Sequence, residues 1–261
     1  MTTTESRELH PALTYFQGLT WSPDGRSLVA WGVDRKGREG IFRIDAVTSA
    51  LTPIVVPISD KVPVPNGERL TYEGFSWSPD GGRLYYHTRN GMVHERDLAS
   101  GTTRVIAGSD ASNGGTGFGP ISLSPDGRVI AALRPDSSGT AVVVFSVRGG
   151  EPRVLFHVDR PASILKDISW MPDGRSLLVL KVVDLADATR NELWQLSIDG
   201  AAPRRLDIDV SRVVAGGQGR IRLHPDGKQL TYVSGHYPVM ELWVLENFLP
   251  APIRPKQAAG K

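Results

Sequence analysis

The chain has 261 residues, 40% of them hydrophobic, with 30 basic against 28 acidic side chains and no cysteine. That is enough apolar material for a sizeable core in one domain, and it excludes disulfide and thiolate chemistry. The charges are interspersed along the chain, a poor signature for nucleic-acid binding, and no run of about 18 apolar residues marks a membrane span.

In chain order, residues 1–14 open on a polar stretch in which 7–13 is a candidate closing strand, interrupted by Pro11. The pattern Leu19-Thr20-Trp21 then alternates apolar and polar residues and runs into the turn Pro23-Asp24-Gly25. The same device returns at Pro79-Asp80-Gly81, Pro125-Asp126-Gly127, Pro172-Asp173-Gly174 and Pro225-Asp226-Gly227, a spacing of 46 to 56 residues. Four positions before each proline stand Leu19, Phe75, Ile121, Ile168 and Ile221; two before stand Trp21, Trp77, Leu123, Trp170 and Leu223. Each turn is followed by a second apolar run (28–31, 84–86, 130–132, 177–180, 230–233) and a third (41–44, 92–95, 142–145, 193–196, 242–245). A fourth follows in four of the five units, at 51–55, 103–107, 153–157 and 204–208.

Proline presets φ at the first central position of a tight turn, aspartate suits the second, and glycine supplies the left-handed conformation that lets a hairpin return in register. Four short antiparallel strands in each repeat of about 40 to 50 residues predict an all-β fold, a β-propeller. A single domain over 1–261 is expected, with blades at 15–58, 72–108, 117–158, 166–209 and 218–250 and a flexible tail at 251–261. The fifth unit shows no outer strand, so either the candidate strand at 7–13 closes a five-bladed ring or the ring has six or more blades.

These five copies of a [Trp/Leu]-x-Pro-Asp-Gly segment resemble the WD40-like propeller repeat of the TolB family; Met171 and His224 stand where the usual serine precedes proline. The ending Glu241-Leu242-Trp243-Val244-Leu245-Glu246-Asn247-Phe248-Leu249-Pro250 is similar to propellers at the C-terminus of multidomain bacterial signalling proteins. The resemblance implies a sensor or scaffold module, associated with a kinase or DNA-binding output domain that this sequence does not contain.

The search for chemistry returns little. There is no Gly-x-Ser-x-Gly elbow, no kinase catalytic loop and no His-x-x-x-His pair, so neither a catalytic residue nor a metal or other cofactor is expected. His94, His157 and His224 are read as structural. Binding residues are expected on longer loops at 33–40, 57–69, 108–119, 182–190 and 234–240, with Arg35, Arg38, Arg190, His236 and Tyr237 as first choices, because guanidinium and aromatic groups dominate interface anchors. Trp21, Trp77 and Trp170 in one column, and Trp194 and Trp243 in another, are expected in the core between blades, whereas Trp31 is the candidate for a surface role. The function expected is a non-catalytic scaffold or sensor propeller binding a protein or peptide through its long-loop face. The alternative is a small-ligand or enzymatic propeller with a site at the central channel. The polar start, with Glu5 and Glu8, lacks the features of a signal peptide, so a cytoplasmic address is expected; a periplasmic or membrane-tethered one would apply to a fragment of a longer protein.

Overall fold

A turn that forces the chain back on itself, repeated between apolar runs, builds a series of antiparallel hairpins, and the computed structural model shows them in each of its five sheets. It describes residues 9–55, 75–88, 91–108, 117–184, 187–210, 221–223, 227–236 and 239–246, none of them helical. The chain divides into two compact units, Met1–Asp159 and Arg160–Lys261.

The first unit carries three blades. Blade 1 is β1 (Leu13–Trp21), β2 (Ser27–Asp34), β3 (Glu39–Asp45) and β4 (Leu51–Val55). Blade 2 is β5 (Phe75–Trp77), β6 (Arg83–His87), β7 (Val93–Asp97) and β8 (Thr103–Ala107), and blade 3 is β9 (Ile121–Leu123), β10 (Val129–Pro135), β11 (Gly139–Ser146) and β12 (Arg153–Asp159). In the second unit, blade 4 is β13 (Ser163–Trp170), β14 (Ser176–Asp184), β15 (Asp187–Ser197) and β16 (Arg204–Leu206); blade 5 is β17 (Ile221–Leu223), β18 (Gln229–His236) and β19 (Val239–Glu246). Strands pair in sequence order within each sheet, every pair antiparallel, as the repeat predicts for propeller blades. Of the candidate closing strand, residues 9–12 are not in a strand and Leu13 opens β1; residues 7 and 8, the outer-strand region of blade 5 and the tail at 251–261 lie outside the described residues.

The turn chemistry is legible atom by atom. Gly25, Gly81, Gly127, Gly174 and Gly227 all have φ between +67° and +72°, the left-handed region that glycine enters without penalty. The serine before the proline does more than fill a turn position. Ser124 donates its hydroxyl to Asp126 Oδ1 at 2.6 Å and accepts the Val129 backbone N–H at 2.9 Å, closing the β9–β10 corner. Ser22 with Asp24 (2.6 Å) and Ser78 with Asp80 (2.5 Å) repeat it. In blade 4, Met171 has no hydroxyl to offer, and Asp173 holds its corner through the Arg175 N–H at 2.9 Å.

The hydroxyl bonds from these serines, joined by backbone N–H groups, hold the Asp24, Asp80 and Asp126 carboxyls below the usual carboxylate range. A folded-state pKa depressed below the unfolded value adds stability that is present above the unfolded pKa and lost as pH falls through the folded one. The urea midpoint should therefore drop below about pH 4. Ser124→Ala should cost about 1–2 kcal/mol at pH 7 and weaken that acid dependence, read from urea curves at pH 7 and pH 3.

Blades meet through alternate faces of their strands. In the first unit Val29, Trp31 and Ile41 of blade 1 pack on Leu84 and Tyr86 of blade 2, with Phe75 and Trp77 against them. Tyr85, Val93 and Ile106 of blade 2 pack on Ile121, Ile130, Ala132 and Val143 of blade 3. In the second unit Leu178, Leu180 and Leu193 of blade 4 pack on Leu230 of blade 5.

Two expectations about tryptophan are reversed. Trp31 is 4% exposed and lies edge-to-face on Tyr15 at 5.5 Å, because it occupies the column eight residues after the turn proline, where His87, Leu133 and Leu180 are also buried. Trp21 is 57% exposed, although Trp77 is half-buried and Trp170 is 8% exposed in the same column. Trp194 is half-buried, its indole N–H donated to Glu192 at 3.0 Å and Lys181 Nζ 5.5 Å from its ring. The side chain of Trp243 lies outside the described residues.

Candidate functional site

The residues singled out as binding candidates have different fates. Arg35 sits exposed in the β2–β3 turn. In the same turn Arg38 is committed to Asp34, its Nε at 2.8 Å and Nη2 at 2.7 Å from Oδ2, while the Arg38 and Lys36 backbone N–H groups reach Oδ1 at 2.9 Å. Burial opposes ionisation of Asp34, but these bonds outweigh it and hold the carboxyl below its usual range. Arg38 thus organises the turn.

The described residues of the loops expected at 182–190 and 234–240, namely 182–184, 187–190, 234–236 and 239–240, are instead strand. β14 and β15 continue until Asp184 faces Asp187, and β18 and β19 until His236 faces Val239. Valine and threonine in these stretches favour extended backbone, and polarity alone had suggested loop. Arg190 is therefore an exposed residue of β15 and His236 ends β18; Tyr237 and the stretch 57–69 lie outside the described residues.

One group has the composition of a catalytic triad. Ser138 Oγ lies 3.3 Å from His157 Nε2, and His157 Nδ1 lies 3.3 Å from Asp159 Oδ1. The Ser138 hydroxyl, however, is donated to Asp136 Oδ1 at 2.7 Å, and Asp136 Oδ2 also contacts His157 Nε2 at 3.0 Å. The Ser138 hydroxyl, the Gly139 N–H and His157 hold Asp136 well below the usual carboxylate range. This arrangement pins the β10–β11 turn to β12. Among the described residues no cluster of three His, Asp or Glu side chains is placed to hold a metal ion.

A cleft of about 660 Å³ lies in the first unit, between blades 2 and 3 on the side of the Pro-Asp-Gly turns. At its base Tyr85, Glu95 and Arg104 line up across β6, β7 and β8 in register. Glu95, 8% exposed, receives Arg104 through both carboxylate oxygens at 2.8 and 3.0 Å, and Arg104 also reaches the Val147 carbonyl at 3.0 Å, tying blade 2 to blade 3. Burial and the bond to Glu95 push the Tyr85 hydroxyl up to about 12, so it stays protonated as a donor. Sequence reasoning had placed Glu95 in a strand without singling it out; the available signal was Val93-His94-Glu95, which puts a carboxylate on the same face as a core valine.

A second surface feature is the first strand of blade 1. Phe16 and Trp21 oppose Gly32 and Leu28, so both stand on one face of the sheet, and they are 45% and 57% exposed. Leu19, at the bulge between them, is 49% exposed. The equivalent positions of blades 2 to 4 are buried or half-buried: Phe75 and Trp77 against blade 1, Ile121 and Leu123 against blade 2, and Ile168 and Trp170 at 5% and 8% exposure.

This geometry is that of a TolB-like β-propeller. No protein-family model matches the chain. Among solved structures it is similar to TolB of Acinetobacter baumannii, with a TM-score of 0.56 at 14% identity over 88% of this chain, and to an oligogalacturonate lyase of Vibrio parahaemolyticus, with a TM-score of 0.52 at 14% identity over 91%. Over 189 residues, 63% of the chain, it is 26% identical to the protein HIR1 of Coccidioides immitis (strain RS). The chain spans 49% of that TolB chain, 76% of the lyase and 18% of HIR1. Similarity at this level describes the fold, and the fold is shared by proteins with different names and tasks.

Proposed function

We propose that this chain is a non-catalytic β-propeller module, a scaffold or sensor, that binds a protein or peptide partner. The observation that carries the reading is the uncovered apolar row Phe16, Leu19 and Trp21 on β1. Large apolar side chains grouped on one exposed face favour association, because covering them removes apolar surface from water at about 25 cal/mol per Å². In blades 2 and 3 the same columns are covered by aliphatic and aromatic side chains on the sheet of the preceding blade. The occupant that fits is therefore an apolar sheet face of a partner protein. Arg35, exposed in the β2–β3 turn of the same blade, is a further candidate contact, and Arg190, His236 and Tyr237 stay separate candidates in the second unit.

The test is recovery of partners on the tagged chain and on Phe16→Ser/Trp21→Ser. A partner retained by the wild type and lost from the double variant, with the melting temperature of the chain unchanged, is the expected result. Identical partners on both proteins would refute the assignment of this face.

A further inference from the structure

The cleft between blades 2 and 3 lies apart from the β1 row and carries a separate reading. Its charges can be sorted into those already spent and those available. Glu95 and Arg104 satisfy each other. Asp80 is tied to Ser78 and the Gly82 N–H, and Asp126 to Ser124 and the Arg128 N–H. Arg83 lies 3.9 Å from both Glu95 and Asp97 and is shared between them. Arg128 and Arg148 remain. Both line the cleft and both are exposed; the Asp126 carboxylate attracts Arg128, but no hydrogen bond or ion pair fixes either guanidinium to a described residue.

We propose that this cleft binds an acidic peptide segment, with its carboxylates on Arg128 and Arg148. A guanidinium presents a planar fork of donors that matches a carboxylate through two parallel hydrogen bonds. The volume of about 660 Å³ is that of a site for several side chains, larger than a single inorganic anion requires. Pro79 and Val147 give the lining an apolar component suited to the body of a peptide. Asp80 and Asp126, ionised at the rim, disfavour a densely charged polyphosphate and favour a ligand whose charges are spaced along a chain. The Tyr85–Glu95–Arg104 column beneath is already paired, so binding need not reorganise it.

The experiment is fluorescence anisotropy of the full chain with labelled hexaglutamate, hexalysine and hexathymidylate. Hexaglutamate should bind, hexalysine should not, and Arg128→Ala/Arg148→Ala should weaken hexaglutamate at least tenfold while its melting temperature matches the wild type. Lys36→Ala/Arg43→Ala removes the same charge from exposed positions of the first unit outside the cleft lining and should change binding less than twofold. Absence of hexaglutamate binding, an equal loss in both double variants, or hexathymidylate binding as tightly through the same two arginines would each overturn the proposal.

Discussion

Trp31→Ala lowers the stability of the chain by about 3–5 kcal/mol, the range for truncating a large buried aromatic side chain. Trp31 is 4% exposed, stands between Val29 and Ile41 on the face that meets Leu84 and Tyr86, and supports the Tyr15 ring at 5.5 Å. Its removal leaves a cavity between two sheets, and neither sheet can close on it without breaking the register of β2 with β3. Trp21→Ala, at a position 57% exposed, should shift stability by no more than about 0.5 kcal/mol. Urea unfolding of the two variants beside the wild type checks both values. Equal losses would mean that Trp21 is core and that the reading of β1 as an uncovered face is wrong.

Gly117→Ala should be at least as damaging as Trp31→Ala, and by a different route. A Cβ at residue 117 would stand 2.1 Å from the Gly91 Cα, and one at Gly91 would stand 2.0 Å from the Gly117 Cα. The two backbones touch where the β6–β7 turn of blade 2 meets the segment leading to β9, and the Phe118 N–H donates to the Gly91 carbonyl at 3.0 Å. Gly91 also has φ of +75°. Neither backbone can give way without parting blade 2 from blade 3, so a loss above about 3 kcal/mol is expected. Gly25→Ala is the control. Its φ is +67° with open space around the new Cβ, so only the conformational cost of about 1 kcal/mol remains. Thermal melts of the two proteins separate close approach from backbone strain.

The fold was legible because its determinants are local and repeated. Five glycines that must be left-handed, five prolines and two apolar columns place each corner and each strand face, and the structure returns them with the expected alternation. Strand ends were less legible, since β14–β15 and β18–β19 extend through residues whose polarity reads as loop but whose Cα register continues to the hairpin. The burial of individual tryptophans was not legible from their columns. A column states which face a residue stands on, whereas burial depends on what covers that face, and the cover differs between Trp21 and Trp77. The cleft was hidden for a related reason. Tyr85, Glu95 and Arg104 come from three strands, and Arg128 and Arg148 from two turns of the next blade, so the cluster exists only once register and blade packing are set.

The account turns on whether the β1 face of this propeller is where a partner sits. The most direct measurement is site-specific photo-crosslinking in living cells, with a benzoylphenylalanine at position 21 and, as control, at position 47, where Val47 is 71% exposed outside the row. A discrete adduct with one partner polypeptide from position 21 and none from position 47 is the result predicted here. No adduct from position 21, or the same adducts from both positions, would contradict it.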